Sequence, residues 1–408
     1  MCRQHRIAAL VLVVALCCLT MLRDGVARTE AEDLQIDANY PGGNIIVDRI
    51  EGDQVSLRQD LRDTKGWWFY WNFRVRGAVG RTLTFRFEGQ SPIGVRGPAV
   101  STDGGQRWSW LGADCVRGAS FTHRFDADAD EVRFSFAIPY LESDLKRFLA
   151  EYQDNRCLSV ETLCKSRKGR TVERLQVVDP DCEPSYRILL TARHHACESM
   201  ANYAMEGFIS TVLDDTDTGR WFRQHAAVMA IPFVDKDGVQ DGDQGKNRKP
   251  HDHNRDYKGE SIYPSVAAIR ALVPKWSRGG LDVALDLHCP WIRGTHNEVI
   301  YMVGRPAPEA WQRQVAFGEI LERVQTGPLK YRASDNLPFG TAWNKGANYG
   351  DHMSCSMWTA SLDGIGLATG FEIPYANAAG GVVDADSARA FGRDLARAVQ
   401  VYLTPATD

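Results

Sequence analysis

Two apolar runs in this 408-residue chain end on histidine and carboxylate side chains, and no other feature constrains the fold as strongly. Arg187-Ile188-Leu189-Leu190-Thr191 reads as a buried strand and leads straight into Arg193-His194-His195-Ala196-Cys197-Glu198. Residues 283–287 read as a second strand, and the next residue is His288. In an α/β sheet, ligands bind outside the carboxyl ends of the strands. The pattern therefore gathers these groups at one edge of such a sheet. Two residues separate His195 from Glu198, so a turn at the start of a helix can point both at one ion. With His288 they offer two nitrogens and one carboxylate, the donor set of a catalytic zinc that keeps a fourth position open. An isolated His-x-x-Glu is a weak signal, and its weight here comes from the segments around it.

The chain divides into two regions. Over 37–140 the pattern is β. The stretch 67–73 is nearly all aromatic, 81–88 alternates, and Val132, Phe134 and Phe136 alternate again. Turns such as Asp103-Gly104-Gly105 separate the runs, which predicts an antiparallel β-sandwich domain over 35–140. Trp67, Phe69, Trp71 and Phe73 fall on one face at period two and are expected to form sheet core. Residues 141–157 read as a linker helix. From 158 to 408, helical patterns at 199–213, 308–324 and 387–403 alternate with strand-like runs at 227–233, 283–287 and 299–303. That alternation means an α/β domain with a mixed sheet flanked by helices.

Charge and composition narrow the function. A net charge of −4 without a long basic run excludes nucleic acid as a partner. At the N-terminus, Arg3, His5 and Arg6 precede an apolar run at 7–19, with Gly25 and Ala27 placed for cleavage. This predicts a signal peptide over 1–27 and an exported protein, periplasmic or secreted. The run is shorter than the roughly 20 residues of a spanning helix, so no stable membrane span is expected after cleavage. In an oxidising compartment, a bridge among Cys157, Cys164 and Cys182 is expected.

Two further segments complete the pattern. Residues 246–257 are rich in charge and contain Arg248 and Asp252-His253-Asn254-Arg255; Phe371-Glu372-Ile373-Pro374 lies near the C-terminus. The order of these segments over about 158–403 resembles the zinc carboxypeptidase family. The β region ahead of them makes the chain most similar to the cytosolic carboxypeptidase-like branch. Pro232-Phe233-Val234-Asp235-Lys236-Asp237-Gly238 resembles that family's Asn-Pro-Asp-Gly turn, with Asp235 and Lys236 in place of Asn-Pro.

The resemblance implies one zinc per chain, held by His195, Glu198 and His288. It implies Glu372 as the base that takes a proton from water and gives it to the leaving amine. Arg248 would face the scissile carbonyl, Asn254 and Arg255 would bind the terminal carboxylate, and Tyr349 would close over substrate. The implied activity is hydrolysis of the C-terminal bond of a peptide or protein through a zinc-activated water. A zinc deacylase of N-acyl amino acids and a non-catalytic peptide-binding relative are the alternatives.

Overall fold

Four parallel strands form the middle of the central sheet: Ala226–Ile231, Tyr186–Ala192, Val283–His288 and Leu367–Glu372. An antiparallel hairpin, Leu158–Lys165 and Thr171–Val177, extends one edge, and Tyr301–Val303 runs antiparallel along the other. The computed structural model describes residues 33–127 and 130–404. The 1–27 segment read as a signal peptide lies outside the described residues. Among these residues no helix is long and apolar enough to cross a membrane.

The middle strands are apolar on both faces because helices cover both. Ile188, Leu190, Leu285, Leu287 and Phe371 join one core with side chains of the helices Met200–Leu213, Pro308–Val324 and Ala385–Leu403. On the other face Leu189, Met229, Ala284 and Ala368 pack with Val266, Ile269 and Val273 of Pro264–Trp276, and with Trp358. The helices Met200–Leu213 and Ala385–Leu403 approach so closely that a Cβ on Gly207 would lie 1.9 Å from the Arg389 carbonyl oxygen. A Cβ on Gly392 would lie 1.9 Å from the Ala204 oxygen. Two helices with no announced periodicity, Asp217–His225 and Pro264–Trp276, complete the layers.

Residues 35–135 form two five-stranded sheets. Phe73, Phe85, Phe121 and Phe134 meet between them, with ring centroids 4.9 to 5.6 Å apart. Pairing is antiparallel except between Gln54–Arg58 and Thr82–Phe87, which run parallel. The chain visits the opposite sheet at Asn72–Arg76 between them and so returns in the same direction.

Three expectations need correction. The aromatic run does not form a strand from 67, because pairing begins only at Asn72. Gln244 and Gln59 hold the segment before it instead: Gln244 Oε1 accepts from the amides of Phe69 (3.2 Å) and Tyr70 (2.8 Å), and Gln59 donates to the Trp68 carbonyl (2.6 Å). Phe69, Trp71 and Phe73 are fully buried, while Trp67 and Trp68 are only partly so. The expected cysteine bridge is also absent, since Cys157, Cys164 and Cys182 are all free thiols. Cys164 lies within the strand Leu158–Lys165 and Cys157 just before it, and an extended strand that rises about 3.3 Å per residue keeps these two apart. Finally, the linker helix is shorter than 141–157 and spans Glu142–Ala150.

The Gly207 and Gly392 contact gives a direct test of this packing. Gly392→Val is expected to lower folding stability by about 1–3 kcal/mol or more through overpacking, read as a fall in the urea midpoint at unchanged m-value.

Candidate active site

The turn after Tyr186–Ala192 begins with a left-handed residue. Arg193 has φ +60°, a conformation that costs energy for a side chain of this size. Its guanidinium offsets that cost by donating to the carbonyls of Ala196 (2.9 Å) and Tyr140 (2.8 Å) and to Asn202 Oδ1 (2.9 Å). The turn is thereby fixed, and the Glu198 amide donates to the His195 carbonyl at 3.2 Å. Both side chains face the end of Val283–His288. His195 Nδ1 lies 2.9 Å from Glu198 Oε1, and His288 Nδ1 lies 2.8 Å from Glu198 Oε2. All three residues offer donor atoms within 4.8 Å of one another.

The outer ring nitrogens are also occupied. His288 Nε2 lies 2.7 Å from Asp286 Oδ2, and His195 Nε2 lies 3.5 Å from Asp252 Oδ1. A carboxylate on the far nitrogen is how metal-binding histidines are oriented. The donor set therefore fits a zinc ion, with two Nδ1 atoms and one carboxylate converging and each imidazole braced from behind. Asp286 also lies 2.8 Å from His194 Nδ1 and accepts from Thr191 Oγ1 at 2.8 Å. His194 Nε2 meets the Tyr257 hydroxyl at 2.7 Å, so His194 points away from the cluster that His195 joins.

Glu372 reaches the site through strand register. It is the direct partner of His288 across the parallel pair. It is buried, and its Oε2 has no hydrogen-bond partner. Burial pushes its carboxyl above the ordinary range; Lys246 and His288 oppose that shift and Glu198 adds to it. Glu198 is also fully buried, which alone would raise it, but the charges of His195, Lys246 and His288 hold it well below the usual carboxylate range. Two carboxylates in one site are thus driven in opposite directions, the arrangement that separates a ligand from a base.

The cleft above these groups has a volume of about 710 Å³. Asn254, Arg255 and Tyr349 line it. Asn254 Oδ1 accepts from the Cys355 amide at 2.9 Å, and its Nδ2 lies 3.3 Å from His288 Nε2. The Arg255 guanidinium sits 4.9 Å from the centre of the Tyr349 ring. The Tyr349 hydroxyl donates to Asn344 Oδ1 at 2.9 Å.

Arg248 also lines this cleft. Its five N–H groups are all spent on carboxylates: Asp63 at 2.8 and 2.6 Å, Asp235 at 3.2 and 2.7 Å, and Asp243 at 2.8 Å. With no donor left, it pins the 60–65 segment to the loop that carries it. Lys246 points into the site instead, its Nζ lying 2.7 Å from Glu198 Oε1 and 2.8 Å from the Cys289 carbonyl oxygen. Sequence reasoning also missed Arg305, which is buried in the cleft wall. Its guanidinium donates to the Val303 carbonyl at 3.1 and 2.8 Å and forms no ion pair among the described residues. Its position beyond the short strand Tyr301–Val303 is a tertiary fact with no local signature.

No family model matches the chain. It is 25% identical over 312 residues to cytosolic carboxypeptidase 2 of Xenopus tropicalis, a match covering 67% of this chain and 32% of that protein. It is 29% identical over 294 residues to the human cytosolic carboxypeptidase 2, covering 60% and 31%. The chain thus spans about a third of the length of these relatives. A solved metallo-carboxypeptidase from Burkholderia cenocepacia superposes with a TM-score of 0.74 at 21% identity, over 91% of this chain and 98% of that one. A metallo-carboxypeptidase from Pseudomonas aeruginosa superposes with a TM-score of 0.68 at 22% identity, over 90% and 99%.

The fold is that of a metallo-carboxypeptidase. In sequence the chain is related to the cytosolic carboxypeptidases. These relatives overturn the expected exported location, because they are named cytosolic carboxypeptidases.

The bracing carboxylates make a measurable claim. Asp286→Asn is expected to weaken zinc binding about 10–100-fold, checked by competition against a chromophoric chelator, with the circular dichroism of the variant unchanged.

Proposed function

We propose that this protein is a zinc-dependent metallocarboxypeptidase that removes acidic residues from the C-termini of peptides or proteins. The observation that carries the reading is the convergence of His195, Glu198, His288 and an unpartnered, buried Glu372 at the carboxyl ends of adjacent parallel strands. One zinc held by the first three supplies Lewis acidity, lowering the pKa of a water and polarising a carbonyl. Glu372 takes the proton of the attacking water and delivers it to the departing amine, a role suited to a carboxyl whose affinity for protons is raised.

Arg255 and Asn254 receive the terminal carboxylate. Among the described residues Arg255 carries no carboxylate partner of its own, and a guanidinium matches that anion with two parallel bonds. The proposed preference for an acidic last residue rests on Arg305. Burying a charge without a counter-ion is strongly unfavourable, and Arg305 is buried with none among the described residues. A substrate side-chain carboxylate supplies the missing charge, as its terminal carboxylate does for Arg255. Tyr349, buried beneath Arg255, forms the wall against which the terminal residue rests. The N-terminal β domain, 35–140, belongs to the enzyme on this reading, because its Lys65 and Trp68 line the cleft. A deacylase needs room for one acyl group beyond the zinc. A cleft reaching Trp68 and Trp291 favours a longer peptide.

Two experiments test this. Purified protein loaded with zinc is expected to release C-terminal glutamate or aspartate from short peptides and to stop when a chelator removes the metal. Glu372→Gln should keep its zinc while losing about 10²–10⁴-fold in kcat; near-normal turnover would remove Glu372 from the mechanism. Arg305→Met should cut kcat/KM for peptides ending in glutamate by about 30-fold or more and leave peptides ending in leucine little changed. Equal losses on both would show that Arg305 does not select the substrate.

A further inference from the structure

We propose that Lys246 is the group that holds the developing oxyanion in this protein, the task that the family resemblance assigned to Arg248. The inference rests on the carboxypeptidase reading above and concerns one atom, Lys246 Nζ.

The backbone makes the choice between the two cations. Gly245 has φ +78°, and a Cβ on it would lie 2.1 Å from the Ala196 amide nitrogen. Only glycine lets the loop press this closely on the turn that carries His195 and Glu198. Asn247 is also left-handed, at φ +52°, with its amide donating to Asp252 Oδ2 at 3.0 Å. Flanked by these two residues, Lys246 turns onto Glu198, and Arg248, which also lines the cleft, turns onto three carboxylates. Arg248 then meets Asp63, Asp235 and Asp243 and is saturated.

Lys246 is not saturated. An ammonium group has three donors. Two are taken by Glu198 Oε1 and the Cys289 carbonyl. Among the described residues nothing accepts the third, and Lys246 lines the same cleft as Glu372 and His288. A buried cation beside the metal ligands, with one free N–H, is placed to donate where negative charge appears. In the addition step, the water oxygen bonds to the carbonyl carbon and its proton passes to Glu372. The carbonyl π pair moves onto oxygen, where the Lys246 ammonium donates a hydrogen bond without giving up its proton. When the C–N bond breaks, that pair returns and the amine leaves with the proton held by Glu372. Donors aimed at such an oxygen are worth far more in the transition state than in the ground state.

The test uses the zinc-loaded full chain, with Lys246→Met and Lys246→Arg. Lys246→Met is expected to retain one zinc per chain and lose about 10²–10³-fold in kcat with KM nearly unchanged. A phosphinate dipeptide analogue, whose tetrahedral anion imitates the oxyanion, should bind Lys246→Met about 10²-fold more weakly by calorimetry. Free glutamate, which lacks that anion, should bind within about threefold of the parent. Lys246→Arg should recover at least about tenfold of the lost kcat, since it restores a donor and its charge. The proposal is overturned if Lys246→Met turns over normally. It is equally overturned if analogue and glutamate weaken in parallel, or if the whole loss is explained by lost zinc. A parent protein that binds the analogue but cleaves no peptide would refute the carboxypeptidase reading instead, and the two binding affinities would still decide the role of Lys246.

Discussion

The in-register pairing of Val283–His288 with Leu367–Glu372 is the constraint on which the site depends. It sets His288 and Glu372 side by side at the carboxyl ends of their strands. The neighbouring pair sets Thr191 beside Asp286, so the brace behind His288 comes from the same sheet. Register in a parallel sheet moves whole faces at once, and a slip of one residue would send these side chains to the opposite face. The apolar layers on both sides of the sheet forbid that slip, because Leu285 and Leu287 would exchange cores with Ala284 and Asp286. The hydrophobic packing of the helices and the placement of the candidate zinc donors are therefore one problem with one solution.

Charge inside the cleft is organised around which groups are satisfied. Arg248, Asp63, Asp235 and Asp243 close on one another and leave nothing for a ligand. Arg193 likewise spends its donors on the protein and serves to fix a strained turn. Among the described residues, Lys246, Arg255 and Arg305 keep free donors in the same cavity, and Glu372 keeps a free oxygen. Leaving such groups unpaired costs stability, so the fold carries that cost where a substrate with two carboxylates and a polarised carbonyl would relieve it. The same contrast separates residues that hold the scaffold from those open to a ligand, although both sets are charged and buried.

The N-terminal sheets are not an appendage to this arrangement. Phe69 and Phe136 pack on Tyr375, at 5.8 and 5.1 Å between ring centroids, and Phe69 meets Trp291 at 5.2 Å. The Tyr140 carbonyl accepts from Arg193, and Asp63 accepts from Arg248. Those two arginines position the loops of the candidate site. Removing the β region would therefore unfix both the His195 turn and the Lys246 loop.

Much of this was written in one dimension. The apolar runs named the strand that leads to His195 and the one that ends on His288, the alternation of elements named the α/β class, and the alternating runs at 81–88 and 132–136 named strands of the N-terminal sheets. The family resemblance singled out Glu372, Asn254 and Arg255, which the fold brings into one cleft. What sequence order could not supply was the direction in which loop residues point. Lys246 and Arg248 are two positions apart with the same charge sign, and the family resemblance favoured the arginine. The close approach of Gly245 to Ala196 and the left-handed turn at Asn247 set where each side chain lies. Arg305 carries no local pattern, because the lack of a carboxylate beside it among the described residues is a property of the fold. The sequence by itself determined which elements form and which donors they carry, since periodicity and residue chemistry are local. Only the tertiary structure decided which charges are satisfied and which remain free, because counter-ions such as Asp63 come from segments nearly 200 positions away.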